Sequence, residues 1–263
     1  MHEVSSSLTF SPRLSAVVPL YNERDNLGVL VEELLKEFQR LGSSFEILLV
    51  DDGSRDGSAD ALDRVASEHP EIRVLHLEQN SGQAAALLAG FEVARGEYVV
   101  TLDGDLQNDP ADIARLLEWV PKYDMVVGIR IRRQDTTLRR LSSRIANRVR
   151  SAVLGDGIVD TGCSLKVFRR ELGLAFPHFK GMHRFMPALA MLEGATVKQI
   201  SVHHRARHAG TTKYNVRNRL GRGLADLAGV FWIKHRWARY RISYEAPKPS
   251  PVRRDVTIEE EER

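Results

Sequence analysis

The first half of the chain alternates short apolar runs with amphipathic stretches. The apolar runs are rich in β-branched residues and nearly continuous, which is typical of strands buried on both faces of a parallel sheet. They predict strands over Leu14–Pro19, Phe45–Asp51, Ile72–Leu77, Glu97–Leu102 and Tyr123–Gly128. The stretches between them predict helices over Arg24–Leu41, Ser58–Glu68, Gly82–Ala94 and Pro110–Val120. This alternation predicts a doubly wound α/β sheet with right-handed crossovers.

The second half of the chain departs from this alternation. Its pattern predicts helices over Thr136–Leu154, Met182–Leu192 and Val216–Arg241, the last as one helix or a pair. Two short strands are predicted over Cys163–Phe168 and Thr196–Val202. Residues 245–263 hold three prolines and then a run of glutamates, a composition typical of disordered chain.

The composition is that of an ordinary globular protein, with 43% hydrophobic and 28% charged residues among 263. It excludes collagenous, low-complexity and fully disordered chains. Cys163 is the single cysteine, so no internal disulfide can form and a reducing compartment is expected. The first 13 residues are polar, which predicts no signal peptide, and the sequence holds no apolar run of about 18 residues.

The charge is divided along the chain. Residues 1–129 hold 10 Lys and Arg against 23 Asp and Glu, a net charge of −13. Residues 130–244 hold 24 against 6, a net charge of +18. A basic half of this size predicts a polyanion or an anionic surface as partner, such as phosphates, nucleic acid or acidic lipid head groups. A solvated basic face is the alternative.

Acidic residues follow three predicted strands, at the edge where an open α/β sheet binds its ligands. The first strand ends in Pro19-Leu20-Tyr21-Asn22-Glu23, the second in Asp51-Asp52 and the fourth in Asp103-Gly104-Asp105. Carboxylates gathered in one place repel and need a cation or protons to coexist. Asp103 and Asp105 suit Mg²⁺ or Mn²⁺, which combine one or two carboxylates with substrate phosphates. Simple turn chemistry is the alternative for Asp-Gly-Asp.

Several common motifs are absent from the sequence. The first strand is followed by Asn22-Glu23-Arg24 in place of a glycine-rich turn, which argues against a nicotinamide-dependent dehydrogenase. There is no Gly-Lys-Ser/Thr phosphate loop and no Gly-x-Ser-x-Gly elbow. The three clustered histidines are expected to be surface or packing residues, since no carboxylate or cysteine joins them at metal-ligand spacing. They are His203, His204 and His208.

Four motifs follow one another with typical spacing. They are Val18-Pro19-Leu20-Tyr21-Asn22-Glu23, Val50-Asp51-Asp52-Gly53-Ser54-x-Asp56-Gly57-Ser58, Asn80-x-Gly82 and Asp103-Gly104-Asp105-Leu106-Gln107. In this order they resemble the inverting family-2 glycosyltransferases of GT-A fold, from about Leu14 to about Tyr240. The resemblance is strongest to polyprenyl-phosphate glycosyltransferases of the dolichyl-phosphate mannose synthase type. This subgroup is indicated by Gly128-x-Arg130, Arg139 to Asn147, Asp160-Thr161-Gly162 and residues 207–214.

The resemblance implies a nucleotide-sugar donor at the acidic edge. It assigns the nucleotide to five residues, Pro19, Tyr21, Glu23, Asp51 and Asp52. It assigns Mg²⁺ or Mn²⁺ to Asp103 and Asp105, against the donor diphosphate, with Gln107 nearby. Within the polyprenyl-phosphate glycosyltransferases, the resemblance is to bacterial lipid-modification enzymes more than to the mannose synthases themselves, which favours a UDP-sugar over GDP-mannose as donor.

The implied acceptor, a polyprenyl monophosphate, accounts for the basic half of the chain. Its phosphate is largely ionised near neutral pH, so it needs cations more than it needs a general base. The candidate phosphate ligands are Arg130, Arg139, Arg140 and Lys213, together with Arg207. Asp160 would orient the donor sugar or act as a base. The candidate catalytic residues are therefore Asp105, Gln107, Asp160 and Arg207.

These assignments divide the chain into four predicted parts. They are a flexible N-terminus (1–12), a GT-A catalytic domain (13–215), basic amphipathic interfacial helices (216–244) and a disordered tail (245–263). Lys213–Arg241 interleaves eight Lys and Arg with aromatic side chains, which suits a helix lying among lipid head groups. Packing of that helix on the core is the alternative. We expect a peripheral protein on the cytoplasmic membrane face, with an anionic membrane surface as partner, and leave a homo-oligomer open.

Three rival functions compete with this interpretation. A GT-A glycosyltransferase with a soluble glycan acceptor fits the donor motifs, but a neutral glycan gives no reason for a charge of +18 in residues 130–244. A nucleic-acid-binding protein fits the basic half, but acidic strand ends would repel the ligand, so no nucleic acid is expected. A non-enzymatic membrane scaffold leaves Asp103 and Asp105 unexplained.

Overall fold

The computed structural model describes residues 12–130, 137–206 and 216–238. It contains one seven-stranded sheet. The strands are β1 (Leu14–Leu20), β2 (Phe45–Asp51), β3 (Ile72–His76), β4 (Tyr98–Thr101), β5 (Met125–Arg130), β6 (Lys166–Arg169) and β7 (Val197–Val202). The helices are α1 (Arg24–Leu41), α2 (Ser58–Glu68), α3 (Gln83–Val93), α4 (Asp112–Leu117), α5 (Thr137–Leu154), α6 (Arg170–Ala175), α7 (Met186–Leu192) and α8 (Val216–Arg236).

The strand order is β3-β2-β1-β4-β6-β5-β7. β1 pairs in parallel with β2 and β4, β2 with β3, and β5 with β7. Among these seven strands of the described residues, only β6 runs antiparallel, and it lies between β4 and β5. The structure therefore confirms the predicted doubly wound, mostly parallel α/β sheet.

Both faces of the sheet are buried, which explains the nearly continuous apolar runs. Successive residues of β1 point into different cores: Val18 lies in a core built with α1, α2 and α4, and Val17 in a second core built with α3, α6 and α7. Leu227 and Val230 of α8 belong to the second core. One face of the basic C-terminal helix is thus packed on the domain.

The structure differs from the predicted elements at several points. α6 follows β6 without a loop and was not predicted. The predicted helix over Met182–Leu192 is a 3₁₀ turn, Met182–Arg184, followed by α7, because Pro187 in the first turn of α7 suits a helix start and not a helix interior. α4 is shorter than predicted at both ends. The predicted disordered tail and most of the predicted flexible N-terminus lie outside the described residues.

Close packing of α3 on the sheet depends on Gly90. A Cβ atom placed there would lie 2.3 Å from Cγ1 of Val17, which is buried in β1. Gly28, in the exposed part of α1, has no atom within 4 Å of the same position. The two glycines therefore form a matched pair. Packing requires a glycine at position 90, whereas Gly28 only lowers the stability of α1 through its poor helix propensity.

We expect Gly90→Ala to lower the free energy of unfolding by about 1–3 kcal/mol, through overpacking. We expect Gly28→Ala to raise it by about 0.5–1 kcal/mol, because alanine is the better helix former. Urea denaturation of the two variants and the wild type measures both changes. Changes of the same sign would contradict this account of α3 packing.

Candidate functional site

The carboxyl ends of β1, β2 and β4 meet at one edge of the sheet. Leu20 at the end of β1 pairs with Asp51 at the end of β2, and the Asp52 amide donates to the Leu20 carbonyl at 2.8 Å. β4 lies on the other side of β1 and leads into Asp103. The acidic residues predicted to share an edge do share it, at the position where open α/β sheets bind ligands.

The turns after β1 and β2 are tied together. The Asn22 amide donates to Oγ of Ser54 at 2.9 Å, and the Arg55 amide donates to Oδ1 of Asn22 at 2.8 Å. Asn22 adopts a left-handed conformation with φ 52°. This places three predicted nucleotide residues, which are partly exposed, along one rim: Pro19, Tyr21 and Glu23.

Asp52 is buried and its carboxylate is fully engaged by the loop that leads into α3. It accepts hydrogen bonds from the amides of Ser81 (2.7 Å) and Gly82 (2.9 Å) and from Nδ2 of Asn80 (3.0 Å). Burial raises the pKa of Asp52 in spite of these donors. In the structure Asp52 holds the loop that begins α3, and its contact with a nucleotide stays a prediction.

Asp51 faces a cavity of about 350 Å³ beside β3 and α2. Its carboxylate accepts from the Ser54 amide at 3.0 Å and lies 3.1 Å from Nδ1 of His76, whose Nε2 lies 3.1 Å from Asp63. Hydrogen bonds to these two carboxylates raise the pKa of His76 despite its partial burial. His76 and Asp63 were not predicted as site residues, although His76 lies in the predicted strand Ile72–Leu77 and ends the observed β3 at the same edge.

Asp103 and Asp105 lie in the tight turn after β4. Nε2 of Gln83 donates to Oδ1 of Asp103 at 2.7 Å, and the Gln107 amide donates to Oδ1 of Asp105 at 3.2 Å. Leu106, which follows Asp105, is left-handed, with φ 61°. Desolvation and the neighbouring charge of Asp105 raise the pKa of Asp103 to about 6.

These two carboxylates fit a divalent cation. Their mutual repulsion is the electrostatic condition that a hard cation relieves. Within 12–130, 137–206 and 216–238, no three His, Cys, Asp or Glu side chains form a group that could hold a metal. A Mg²⁺ or Mn²⁺ ion here would therefore take its remaining oxygen ligands from water and from a bound phosphate group, as Mg²⁺ commonly does.

Asp160 and Arg130 form a bidentate ion pair. Nε and one terminal nitrogen of Arg130 each donate to the carboxylate at 2.8 Å, and the Gly162 amide adds a bond of 3.1 Å. Asp160 is 7% exposed. A carboxylate held in this way is a weak proton acceptor, and the guanidinium charge is compensated. The pair suits orientation of a ligand better than proton abstraction by Asp160 or binding of a phosphate by Arg130 alone.

The other predicted acceptor residues are only partly covered by the structure. Arg139 and Arg140 belong to α5, but their side chains lie outside the described residues, and Arg207 and Lys213 lie outside them entirely. The same holds for His208, predicted as a surface or packing histidine. The described end of α5 is tied to the Asp160 loop, because Nδ2 of Asn147 donates to the Val159 carbonyl at 2.7 Å. The helix that carries Arg139 and Arg140 is therefore held next to Asp160.

Arg207 and Lys213 in the segment after β7 were predicted as site residues, but the contacts of residues 203–205 with the acidic turn were not. The amide of His203 donates to Asp112 at 2.6 Å, and His204 forms an isolated antiparallel bridge with Asn108. These two histidines brace the loop after Asp105, which agrees with the expected packing role. These histidines come close to the acidic turn through tertiary contacts, which no local pattern in the sequence could predict.

Comparison with known proteins supplies the family. A family model described as Glycosyl transferase family 2 matches residues 15–173. The chain is 40% identical over 205 residues to an undecaprenyl-phosphate 4-deoxy-4-formamido-L-arabinose transferase of Pectobacterium carotovorum, covering 77% of this chain and 62% of that one. A protein of the same description from Pseudomonas fluorescens is 40% identical over 204 residues, covering 77% of this chain and 60% of that one. The chain thus spans about three-fifths of the curated relatives it matches.

Solved structures confirm the GT-A fold. Mannosyl-3-phosphoglycerate synthase from Rubrobacter xylanophilus matches with a TM-score of 0.65 at 21% identity, covering 90% of this chain and 79% of that one. Glucosyl-3-phosphoglycerate synthase from Mycobacterium tuberculosis, bound to Mn²⁺, UDP and glucosyl-3-phosphoglycerate, matches with a TM-score of 0.63 at 16% identity. The match covers 87% of this chain and 81% of that one. A mannosyltransferase from Pyrobaculum calidifontis in complex with GDP-Man and Mn²⁺ matches with a TM-score of 0.60 at 24% identity, covering 89% of this chain and 67% of that one.

We expect Asp103→Asn to stabilise the metal-free protein at pH 8. The pKa of Asp103 is raised from 3.8 to about 6, so the ionised form destabilises the fold above pH 6, by up to about 3 kcal/mol. An amide removes this cost and should retain the bond from Gln83. Urea denaturation of the variant and the wild type, in chelator at pH 8, 6 and 4, tests this prediction. The gain in the free energy of unfolding should fade towards pH 4.

Glu92→Gln, at an exposed position in α3, is the control and should show no such pH-dependent gain. A variant that is less stable than the wild type at pH 8 would contradict the electrostatic account of the Asp103–Asp105 pair.

Proposed function

Because the chain belongs to glycosyl transferase family 2, we propose that it transfers a sugar from a nucleotide-sugar donor to a polyprenyl monophosphate. The transfer is inverting and depends on a divalent metal ion. The donor half of the proposal is supported by the acidic edge formed by Asp103 and Asp105 beside the ends of β1 and β2. The acceptor half is supported by the names of the relatives, which describe undecaprenyl-phosphate transferases.

The observation that carries the acceptor class is the pairing of Asp160 with Arg130. An inverting transfer to a hydroxyl group needs a base, whereas a phosphate oxygen is already largely ionised near neutral pH. Asp160 is held by two guanidinium bonds of 2.8 Å and is a poor base. This geometry favours a phosphate acceptor over a soluble glycan. The net charge of +18 over residues 130–244 supports the same choice.

On the donor side, Asp103 and Asp105 would hold Mg²⁺ or Mn²⁺, which acts as a Lewis acid on the departing nucleoside diphosphate. Gln83 orients Asp103 through its bond of 2.7 Å, and the Gln107 amide orients Asp105. Two of the similar structures hold Mn²⁺ together with UDP or GDP-Man, which supports a metal in this chain. We extend the proposal to a UDP-sugar in preference to GDP-mannose.

The nucleotide would lie along the rim from Pro19 to Glu23, with its base towards Asp51. On the acceptor side, the cations of α5 and of the segment after β7 would neutralise the lipid phosphate as it approaches the donor. They are Arg139, Arg140, Arg207 and Lys213. Arg130 would contribute through the position of Asp160.

α8 supplies a surface for the membrane in this proposal. It exposes three large apolar side chains, Leu224 (55%), Phe231 (43%) and Trp232 (62%), in the same helix as the core residues Leu227 and Val230. Lys234, His235 and Arg236 end the helix. None of the helices within the described residues is long and apolar enough to cross a bilayer. We propose peripheral attachment to the cytoplasmic membrane face through α8, with an anionic surface as partner.

We expect Asp105→Asn to reduce sugar transfer by on the order of 100-fold or more, because it removes a metal ligand from the developing diphosphate charge. The assay presents a panel of UDP- and GDP-sugars with undecaprenyl phosphate in vesicles and Mn²⁺. Asp60→Asn, at an exposed position in α2, is the matched control. Near-normal transfer by Asp105→Asn would overturn the metal assignment, and transfer to soluble glycans alone would overturn the lipid acceptor.

We expect the double variant Phe231→Ala, Trp232→Ala to weaken binding to vesicles by about tenfold or more. Each ring would contribute a few kcal/mol of binding free energy when its apolar surface leaves water for the membrane. Flotation with anionic and neutral vesicles measures the binding. High salt should release the wild type only in part, since salt screens the basic residues and leaves the apolar contribution. Leu174→Ala, an exposed apolar position in α6, is the control. Wild-type protein that ignores anionic vesicles would contradict the proposed attachment.

A further inference from the structure

Directly after β7, the chain runs along the loop that follows the metal-binding turn. We define this metal loop as residues 103–109. The Arg205 amide donates to the Gln107 carbonyl at 2.9 Å, and His204 bridges to Asn108. These contacts place Arg205 against the loop that carries both candidate metal ligands, although the two segments lie about a hundred residues apart in the sequence.

The Arg205 side chain joins this loop to α1. One terminal nitrogen donates to both carboxylate oxygens of Glu33, at 2.8 and 2.7 Å. The other lies 2.9 Å from Oδ1 of Asp109, at the end of the metal loop. A planar guanidinium is suited to such simultaneous contacts, and an ammonium group is not. Its charge is matched by two carboxylates, so Arg205 differs from the cations predicted to bind the acceptor.

The metal loop needs external support. Leu106 is buried and holds a left-handed φ of 61°, a conformation that a non-glycine residue keeps only where its surroundings enforce it. On one side the loop is fixed by Ser164, whose Oγ donates to Oδ1 of Asn108 at 2.6 Å. Nε2 of Gln83 donates to Asp103 at the start of the loop, and further contacts to its end come from His204 and Arg205.

We propose that Arg205 is a positioning residue for metal-dependent nucleotide binding. By clamping Asp109 to Glu33, it holds the metal loop in the shape that sets Asp103 and Asp105 against a divalent ion and a nucleoside diphosphate. The identity of that ligand rests on the proposed function. The clamp itself rests on the contacts of Arg205, and the two can fail separately.

The alternative is an ordinary surface ion pair, since Arg205 is 39% exposed and such pairs contribute little. Arg40 provides the matched control. It makes two bonds to Glu37 in the same helix, α1, at 2.9 and 2.7 Å, and these bonds do not reach the metal loop. The test compares Arg205→Met, Arg205→Lys and Arg40→Met with the wild type.

Two measurements distinguish the roles. Calorimetry with UDP or GDP in the presence of Mn²⁺ gives nucleotide affinity without any acceptor. Hydrogen exchange without ligand gives the protection of the peptide spanning residues 103–109. We expect Arg205→Met to weaken metal-dependent affinity by about tenfold and to speed exchange in this peptide, with partial recovery in Arg205→Lys and neither change in Arg40→Met.

Wild-type affinity in Arg205→Met, or an equal loss in Arg40→Met, would overturn the proposal. Should the wild type bind neither nucleotide with Mn²⁺, the proposed function fails and the clamp is judged by exchange alone. Faster exchange confined to the Arg205 variants then supports it, and unchanged exchange overturns it.

Discussion

The constraint on which this site depends is the repulsion among carboxylates that parallel strands deliver to one edge of a sheet. Each acid has a different counterpart. Asp51 lies against His76, Asp52 accepts hydrogen bonds from two backbone amides, and Asp160 forms an ion pair with Arg130. Compensation is least complete at Asp103, whose pKa is raised to about 6 beside Asp105. Protein groups thus compensate most of the negative charge at this edge, and the Asp103–Asp105 pair is where a bound cation would lower the electrostatic energy.

The antiparallel strand β6 explains why residues distant in sequence complete this edge. Because β6 runs against its neighbours, its amino end lies beside the carboxyl ends of β4 and β5. The residues that precede β6 therefore arrive at the site: Asp160 meets Arg130, which ends β5, and Ser164 meets Asn108 after β4. An additional parallel strand at this position would have carried the same residues to the opposite edge.

The sequence predicted the parts of this protein that depend on local patterns. Apolar runs located β1 to β5, and the Asp-x-Asp turn located the candidate metal ligands. The pairing of Arg130 with Asp160 could not be predicted, because 30 residues separate them and both carry charges that suit a substrate equally well. Asp52 was assigned to the nucleotide by resemblance, and the amides it accepts from become visible only when the loop into α3 folds over it. The contacts of Arg205 with Glu33 and Asp109 could not be predicted either, because they too form only in the folded chain.

The position of Asp52 has a consequence for how this edge handles negative charge. The first residues of a helix present amides and the positive end of the helix dipole, which many nucleotide-binding folds use to hold phosphates. In this chain a buried carboxylate already sits at the amino end of α3 and takes the amides of Ser81 and Gly82. These two residues directly precede α3, so the positive end of the α3 dipole lies beside an internal carboxylate. In the proposed donor site, a diphosphate at this edge would therefore depend more on ions and side chains for its neutralisation, and its binding would be sensitive to the supply of divalent metal.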